Sequence, residues 1–308
     1  MDNAILDLIK RSAAIPSMPQ VAARFLEIIQ DPDFEYRDVV ELLSTDPGMT
    51  GEILRLANSP LFGVTRKITS LAQALTLLGL KRIRSLVLGR YIVDNIDKKK
   101  PAVIKMGYYW RRSLTTAVLA NHLAERIDPK LREEAFTAGL LADIGIIILD
   151  ETLPDRFKPI ALEYRPQGRT PLWDLEHETL SVTHGAVSAL VLEDWRLPDS
   201  VCAAVARHSD PPAKEADACP PLGRVIRAAD SIGKFLCEEP TDLDRVGAGC
   251  IEASAEIAVE SQSLARILSE IEPQIAEFAS ILRIEAGPSQ IYGALAEKLR
   301  ELSAAPTY

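Results

Sequence analysis

Nothing in this chain suits an oxidising or a membrane setting. It has only four cysteines, Cys202, Cys219, Cys237 and Cys250, and no two of them form a CxxC pair of the kind that holds zinc or shuttles electrons. No uncharged apolar run approaches the ~18 residues that a membrane-spanning helix needs. Asp2, Asp7 and Lys10 interrupt the apolar residues at the start, so no secretory leader is expected there. A reducing cytoplasm with free thiols is the location these absences imply. Basic character is short as well. Acidic residues number 44 against 35 basic ones, a formal charge of −9, which argues against nucleic acid as a partner because phosphate binding needs cations. The one basic run, Lys98–Lys100, is too brief to reverse this and reads as a solvated linker. No GxxxxGK[ST] phosphate loop, GxSxG elbow or helix-turn-helix signal occurs. Val-rich alternating runs joined by hairpin turns are also missing, which removes the usual signs of a sheet.

What remains is helical periodicity from end to end, and an all-α fold is the expectation. Residues 3–13 read as a first helix. Ser17 and Gln20 fit a capping box that opens a helix to about Gln30, and another runs from about Tyr36 to Ser44. Asp46-Pro47 gives an N-cap followed by proline at the first helical position. Ser70 and Gln73 form a second capping box, and Gly79 closes the helix that follows. Residues 81–95 and 103–126 continue the pattern. Asp97–Pro101, charged and ending in proline, is the clearest boundary. Pro154–Arg169 reads as loop-rich and Asp210–Pro221 as an exposed loop, and Glu272-Pro273 as a bend or restart in a C-terminal helical region. The expected organisation is an N-terminal helical subdomain over 1–97, a helical bundle over 98–212, and a helical extension over 213–308 that completes or packs on the bundle.

The most informative stretch is Glu133–Asp150. Phe136, Leu140, Ile144 and Ile147 recur at helical spacing, so the segment should be one buried helix. Asp143 stands seven residues after Phe136 and three after Leu140, on the apolar stripe. A buried carboxylate must be paired, hydrogen-bonded or metal-bound, or it takes up a proton. The same test picks out His184, His208 and Asp230, each on the apolar face of its predicted helix. Taken singly, each reads as a satisfied core residue. Taken together, two histidines and two aspartates suggest a shared polar cluster, because buried charges seek one another. His177 reads as a core or boundary histidine, while His122, Glu176 and Glu178 are expected to face solvent.

The segment Gly139-Leu140-Leu141-Ala142-Asp143-Ile144-Gly145 resembles the motif of the HD metal-dependent phosphohydrolase superfamily, with alanine in place of the motif histidine. Other pieces narrow the resemblance to the HDOD domain, a non-catalytic HD-related output domain of bacterial signalling proteins. They are Ile15-Pro16-Ser17-Met18-Pro19, Asp46-Pro47-Gly48, Leu54-Arg55-Leu56-Ala57-Asn58-Ser59, the stretch from Ile68 to Leu80, Trp110–Thr116, His184-Gly185-Ala186 and Trp195-Arg196-Leu197-Pro198. They cover roughly residues 10–212. The resemblance implies a helical bundle and a role in relaying signals. It also implies partners in trans of receiver, diguanylate cyclase or phosphodiesterase type.

The departures from the hydrolase pattern matter most. The resemblance puts Arg112 where a preceding helix would supply a metal-binding histidine, and Ala142 where the His of the His-Asp pair would be. Alanine has no lone pair for a metal, and arginine keeps its charge at any relevant pH and opposes a cation. The expectation is therefore a degenerate HD site of Arg112, Ala142, Asp143, His184, His208 and Asp230, with no catalysis, no cofactor and no metal. Arg112 would pair with Asp143, and Asp230 is a second candidate partner for it. Two alternatives stand beside this reading. One is a phosphohydrolase with a partial metal set, Asp143, His184, His208 and Asp230. The other is a nucleotide-binding sensor in which Arg111 or Arg112 holds phosphate.

Overall fold

The computed structural model describes residues 3–12, 14–15, 18, 20–59, 64, 66–96, 101, 103–166, 168, 170–211, 219–237, 242–284 and 291–304. Among these residues every regular element is a helix, so the chain is all-α. Ser17, the turn residues 60–63, the basic run Lys98–Lys100 and most of the loop before Pro220 lie outside the described residues. The chain forms two compact units. One comprises Pro16–Lys99 and Phe278–Ile284; the other comprises Met1–Ile15, Lys100–Glu277 and Glu285–Tyr308.

The smaller unit contains α2 (Gln20–Gln30), α3 (Tyr36–Ser44), α4 (Pro47–Ala57), α5 (Leu71–Leu78) and α6 (Leu80–Ile96). Their apolar stripes supply Phe25, Val39, Leu43, Ile53, Leu56, Leu75, Ile83 and Val87 to one core. Asp46 caps α4 by accepting from the Met49 N–H at 3.0 Å, and its second oxygen accepts from the Tyr91 hydroxyl at 2.8 Å. Burial raises the Asp46 pKa less than the Met49 N–H and Tyr91 bonds lower it, so the cap stays charged below the usual carboxylate range. Ser70 caps α5, but Gln73 reaches back to the Thr69 N–H at 3.1 Å, one residue earlier than a capping box requires.

Asn58 has a separate task. Its amide nitrogen donates to the carbonyls of Leu54 and Ile68 at 2.7 and 2.8 Å, and its oxygen accepts from the Ile68 N–H at 2.8 Å. One side chain thus ties the end of α4 to the residue at the far side of the following loop. Replacing Asn58 by alanine removes three bonds at once. The expected loss is about 1–3 kcal/mol, because Ile68 is left with an unpaired N–H and C=O. Urea unfolding of that unit, followed by a local probe, measures it.

The larger unit is built around α7 (Met106–Ile127), whose small and apolar residues are buried on nearly every side from Tyr108 to Ala120. It packs on α8 (Arg132–Leu141) and α14 (Pro221–Cys237). Gly139 of α8 lets the two backbones meet, since a β-carbon there would lie 2.9 Å from the Ala117 Cα. α9 (Ile144–Thr152), α10 (Pro154–Ala161), α11 (Leu172–Leu180), α12 (His184–Asp194) and α13 (Asp199–Ala206) follow. α12 packs on α9 and α13. α15 (Leu243–Ala255) packs on α14 and on α17 (Ile291–Ala304), while α16 (Ser261–Leu282) runs without interruption through Pro273. α1 (Asn3–Arg11) packs on α9 and so belongs to this unit, not with the helices that follow it in sequence.

Two local expectations are corrected. Glu133–Asp150 is not one helix; it breaks at Ala142-Asp143 into α8 and α9. Asp143 sits at φ −94°, ψ 6°, the sparsely allowed bridge region where a helix turns aside and functional residues concentrate. Continuous apolar spacing concealed the break, because both halves are buried. Pro154–Arg169 is not mainly loop, since its first half is α10, with Phe157, Ile160 and Ala161 inward. Its prolines suggested a loop, but Pro154 stands in the first turn, where a missing N–H costs nothing. The α16 backbone also absorbs Pro273 without ending.

Candidate functional site

Seven segments of the larger unit converge on one buried polar cluster. α7 contributes Arg112, the α8–α9 break Asp143, the end of the α10 segment Tyr164, α11 Glu176, the first residue of α12 His184, the turn after α13 His208, and α14 Asp230. All but Asp230 are at most 7% exposed, and Asp230 is 8% exposed.

The Ala142-Asp143 break is held from outside. Ser188 of α12 donates to the Ala142 carbonyl at 2.6 Å and accepts from the Gly145 N–H at 2.8 Å. Ala142 itself is buried. With the break pinned in this way, Asp143 points into the cluster instead of along a helix face.

Arg112 grips two carboxylates. Its Nη2 donates to both Asp230 oxygens at 2.9 Å, and its Nε lies 3.3 Å from Asp230 Oδ1 and 3.4 Å from Asp143 Oδ2. The Tyr164 hydroxyl donates to Asp143 Oδ2 at 2.7 Å, and its ring lies under the guanidinium, 5.1 Å from centroid to Cζ. Burial opposes the charge on Arg112, but Asp230 and then Asp143 hold its pKa well above the usual value. Burial likewise opposes ionised Asp143, yet Arg112 first, then His208 and His184, hold its carboxyl well below the usual range. Burial and the Asp143 charge push the Tyr164 phenol far up, so it remains a donor.

Asp143 Oδ1 faces the histidines. It is 3.3 Å from His208 Nε2 and 3.6 Å from His184 Nε2, and those two nitrogens are 3.3 Å apart. His184 Nδ1 lies 2.8 and 2.9 Å from the two Glu176 oxygens, and the His184 backbone N–H donates to Glu176 Oε2 at 2.9 Å. Burial presses the His184 pKa down, but Glu176 and then Asp143 more than reverse this, so it is raised. His208 Nδ1 is 2.8 Å from the Val205 carbonyl oxygen.

The expected residues Arg112, Ala142, Asp143, His184, His208 and Asp230 therefore lie together. Sequence reasoning placed Glu176 in solvent, and this is corrected: it is fully buried and bound to His184. A signal was present, because Leu172, Glu176 and Leu180 recur every four residues, placing the glutamate on the inward face. Tyr164 was missed because its segment read as loop, although Phe157, Ile160 and Tyr164 keep helical spacing. His208 lies in a turn just past α13 instead of on that helix. His177 is exposed and stacks on Trp173, and His122 is half-buried against Gln274. Glu178 does face solvent.

The HD superfamily implies a metal, so the donors must be tested against one. Asp143, His184 and His208 each offer a ligand atom, and these atoms lie within 4.8 Å of one another. Metal–nitrogen and metal–oxygen bonds of about 2.0–2.2 Å give tetrahedral edges of roughly 3.3–3.6 Å, which the observed separations match. Asp230 does not join this set as a free ligand, because Arg112 holds both its oxygens. The residues fit one ion with three protein ligands.

Comparison with known proteins gives the setting. The HDOD domain family matches residues 15–211. A protein of Treponema pallidum (strain Nichols), called only uncharacterized, is 25% identical over 206 residues, 64% of this chain. The chain spans only about two fifths of that relative's length, the match covering 39% of it. Two solved structures share the fold. One, from Shewanella amazonensis SB2B and provisionally named a phosphohydrolase, has a TM-score of 0.60 at 21% identity and is 94% covered, with 97% of this chain. The other, from Marinobacter aquaeolei VT8 and provisionally named a signal transduction protein, has a TM-score of 0.64 at 19% identity and is 65% covered, with 92% of this chain.

Proposed function

The chain belongs to the HDOD domain family, and from that premise we propose that it is a regulatory module of bacterial signalling that works by binding and conformational change without turnover. The observation that carries this reading is Arg112. It stands where the HD resemblance expects a metal-binding histidine, and its guanidinium bridges Asp230 and Asp143. A fixed cation there neutralises two carboxylates that a hydrolytic metal centre would need. The partners we propose are signalling proteins in trans, of receiver, diguanylate cyclase or phosphodiesterase type, in a bacterial cytoplasm. The name of the Marinobacter aquaeolei structure accords with a signalling role.

The competing hydrolase reading has one observation in its favour, the three-donor set of Asp143, His184 and His208. A metal bound there would polarise water or a phosphate oxygen. Against hydrolysis stand the alanine at 142 and the commitment of Asp230 to Arg112. The nucleotide-sensor reading is weakened because Arg112 spends its charge on two carboxylates.

Turnover assays decide between regulation and hydrolysis. Protein purified without chelator is offered cyclic and linear dinucleotides, nucleoside triphosphates and a chromogenic phosphodiester, with Mn²⁺, Fe²⁺ or Mg²⁺. We expect no product above the level of the Asp143→Asn variant. Turnover that this substitution abolishes would overturn the regulatory reading.

A further inference from the structure

α11 is held to the larger unit by less apolar surface than its neighbours are. Of its nine residues only Glu176 and Leu180 are buried. Leu172, Trp173 and Leu175 are half-buried, while Asp174, His177, Glu178 and Thr179 face solvent. The next helix, α12, buries every residue from His184 to Ala189, and then Val191 and Leu192. Burial of an apolar face is what ordinarily fixes a short helix to its domain, and α11 has little of it.

Polar contacts stand in its place. Glu176, at the midpoint of the helix, has its two oxygens 2.9 and 2.8 Å from His184 Nδ1. Its Oε2 also accepts from the His184 backbone N–H at 2.9 Å. One turn earlier, Trp173 Nε1 donates to Asp210 Oδ1 at 3.1 Å, and Arg207 Nε donates to the other Asp210 oxygen at 2.9 Å. Near the other end, Arg156 Nη2 donates to the Thr179 carbonyl at 2.8 Å. α11 thus ties together the two segments that carry the histidines of the cluster, the start of α12 and the turn after α13.

Such contacts hold a helix differently from an apolar face. A buried ion pair loses in desolvation much of what it gains in attraction. When α11 lifts, Glu176 and His184 Nδ1 regain water, and so do Trp173 Nε1 and Asp210. The main loss is the burial of Leu180. The backbone at the end of α11 favours movement as well. Ser181 sits at φ 54°, the left-handed conformation that is strained for a residue with a side chain, and displacement of the segment releases that strain.

We propose that α11 is a detachable latch over the polar cluster, closed by Glu176 on His184, which opens as one piece while α7, α12 and α14 stay folded. The closed latch hides Glu176 and His184. The open latch presents both and frees the turn that carries His208. A segment with two states of similar free energy is what a binding event can bias. The use of this motion in regulation rests on the regulatory reading above; the motion itself does not.

The test is native-state hydrogen exchange of the full chain, resolved by segment, in buffer and in sub-denaturing urea. With intrinsic rates divided out, we expect α11 to be at least about 100-fold less protected than α7. Its exchange should hardly respond to urea, because a local opening exposes little surface. Glu176→Gln keeps the shape but removes the charge, and should lower α11 protection by about 10–100-fold while α7 changes less. Asp210→Ala leaves the Glu176–His184 contact in place and should lower α11 protection by roughly 2–10-fold; it carries the test if Glu176→Gln does not fold. Equal protection and equal urea response in α11 and α7 would overturn the proposal, since α11 would then open only with the whole unit. Equal loss of protection in both helices on substitution would overturn the latch role, since the contact would then belong to the common core. A chain that turned over a phosphodiester would still show or lack this opening, so the two readings fail separately.

Discussion

Replacing Arg112 by methionine should destabilise the larger unit by about 3–5 kcal/mol, the cost typical of breaking a buried ion pair from one side. The side chain is about as long, so packing changes little; the charge is what goes. Asp230 then loses a bidentate partner at 2.9 Å and Asp143 a cation at 3.4 Å, and both carboxylates stay buried. Urea unfolding at neutral pH measures the loss. Arg112→Lys should lose less than the methionine variant, since it keeps the charge but not the planar fork that reaches both oxygens of one carboxylate. Arg112→Met combined with Asp230→Asn should recover part of the loss, because one of the stranded charges has gone. A cost below about 1 kcal/mol for Arg112→Met would mean the pair behaves like an exposed one and would remove the anchor assigned to it.

The pH dependence has a definite sign. Burial raises the Asp143 pKa, but Arg112 and the two histidines lower it further, so the folded value is depressed. A depressed carboxyl contributes stability that is fully present above its unfolded value of about 3.9 and is lost as pH falls through the lower folded value. The original chain should therefore keep this contribution across neutral and mildly acidic pH. Arg112→Met lacks the largest part of it, so the gap between the two proteins should be full above about pH 4 and should close below it.

These residues also show what a sequence does and does not disclose. Asp143, His184, His208 and Asp230 were legible because each breaks an apolar stripe, and a charge inside a stripe demands a partner. Arg112 has no such mark. It follows Arg111 on a helix buried nearly all round, and only the family resemblance singled it out. Glu176 was hidden by its neighbours: His177 and Glu178 are exposed, and a run of three polar residues looks like a solvated face. The break at Ala142-Asp143 left no trace in hydrophobicity, because its cause is a contact 43 residues away in sequence, with Ser188 bonding the Gly145 N–H. Helical content followed from local periodicity. The place of α1 did not, since it packs on α9, far along the chain.

Gly145→Ala should likewise cost about 3 kcal/mol, at the upper end of overpacking losses, and the sign of the change is the informative part. Gly145 is the second residue of α9, and on propensity alone alanine should not destabilise a helix and can add up to about 1 kcal/mol. Packing opposes this. A β-carbon at Gly145 would lie 2.1 Å from the His184 carbonyl oxygen and 2.9 Å from both the His184 carbonyl carbon and the Ser188 nitrogen. All of these are backbone atoms, so no side-chain rotation relieves the clash, and the start of α9 must move away from the start of α12. That movement stretches the Ser188 bridge to Ala142 and Gly145 and shifts Asp143 relative to His184, so the variant should disturb the cluster as well as lose stability. Gly107 supplies the control. It also stands second in its helix, α7, but a β-carbon there would meet nothing within 4 Å, and Gly107→Ala should show no loss. Thermal unfolding of both variants separates the two effects. If Gly145→Ala were as stable as Gly107→Ala, the close approach of α9 and α12 would not be what fixes the geometry of the cluster.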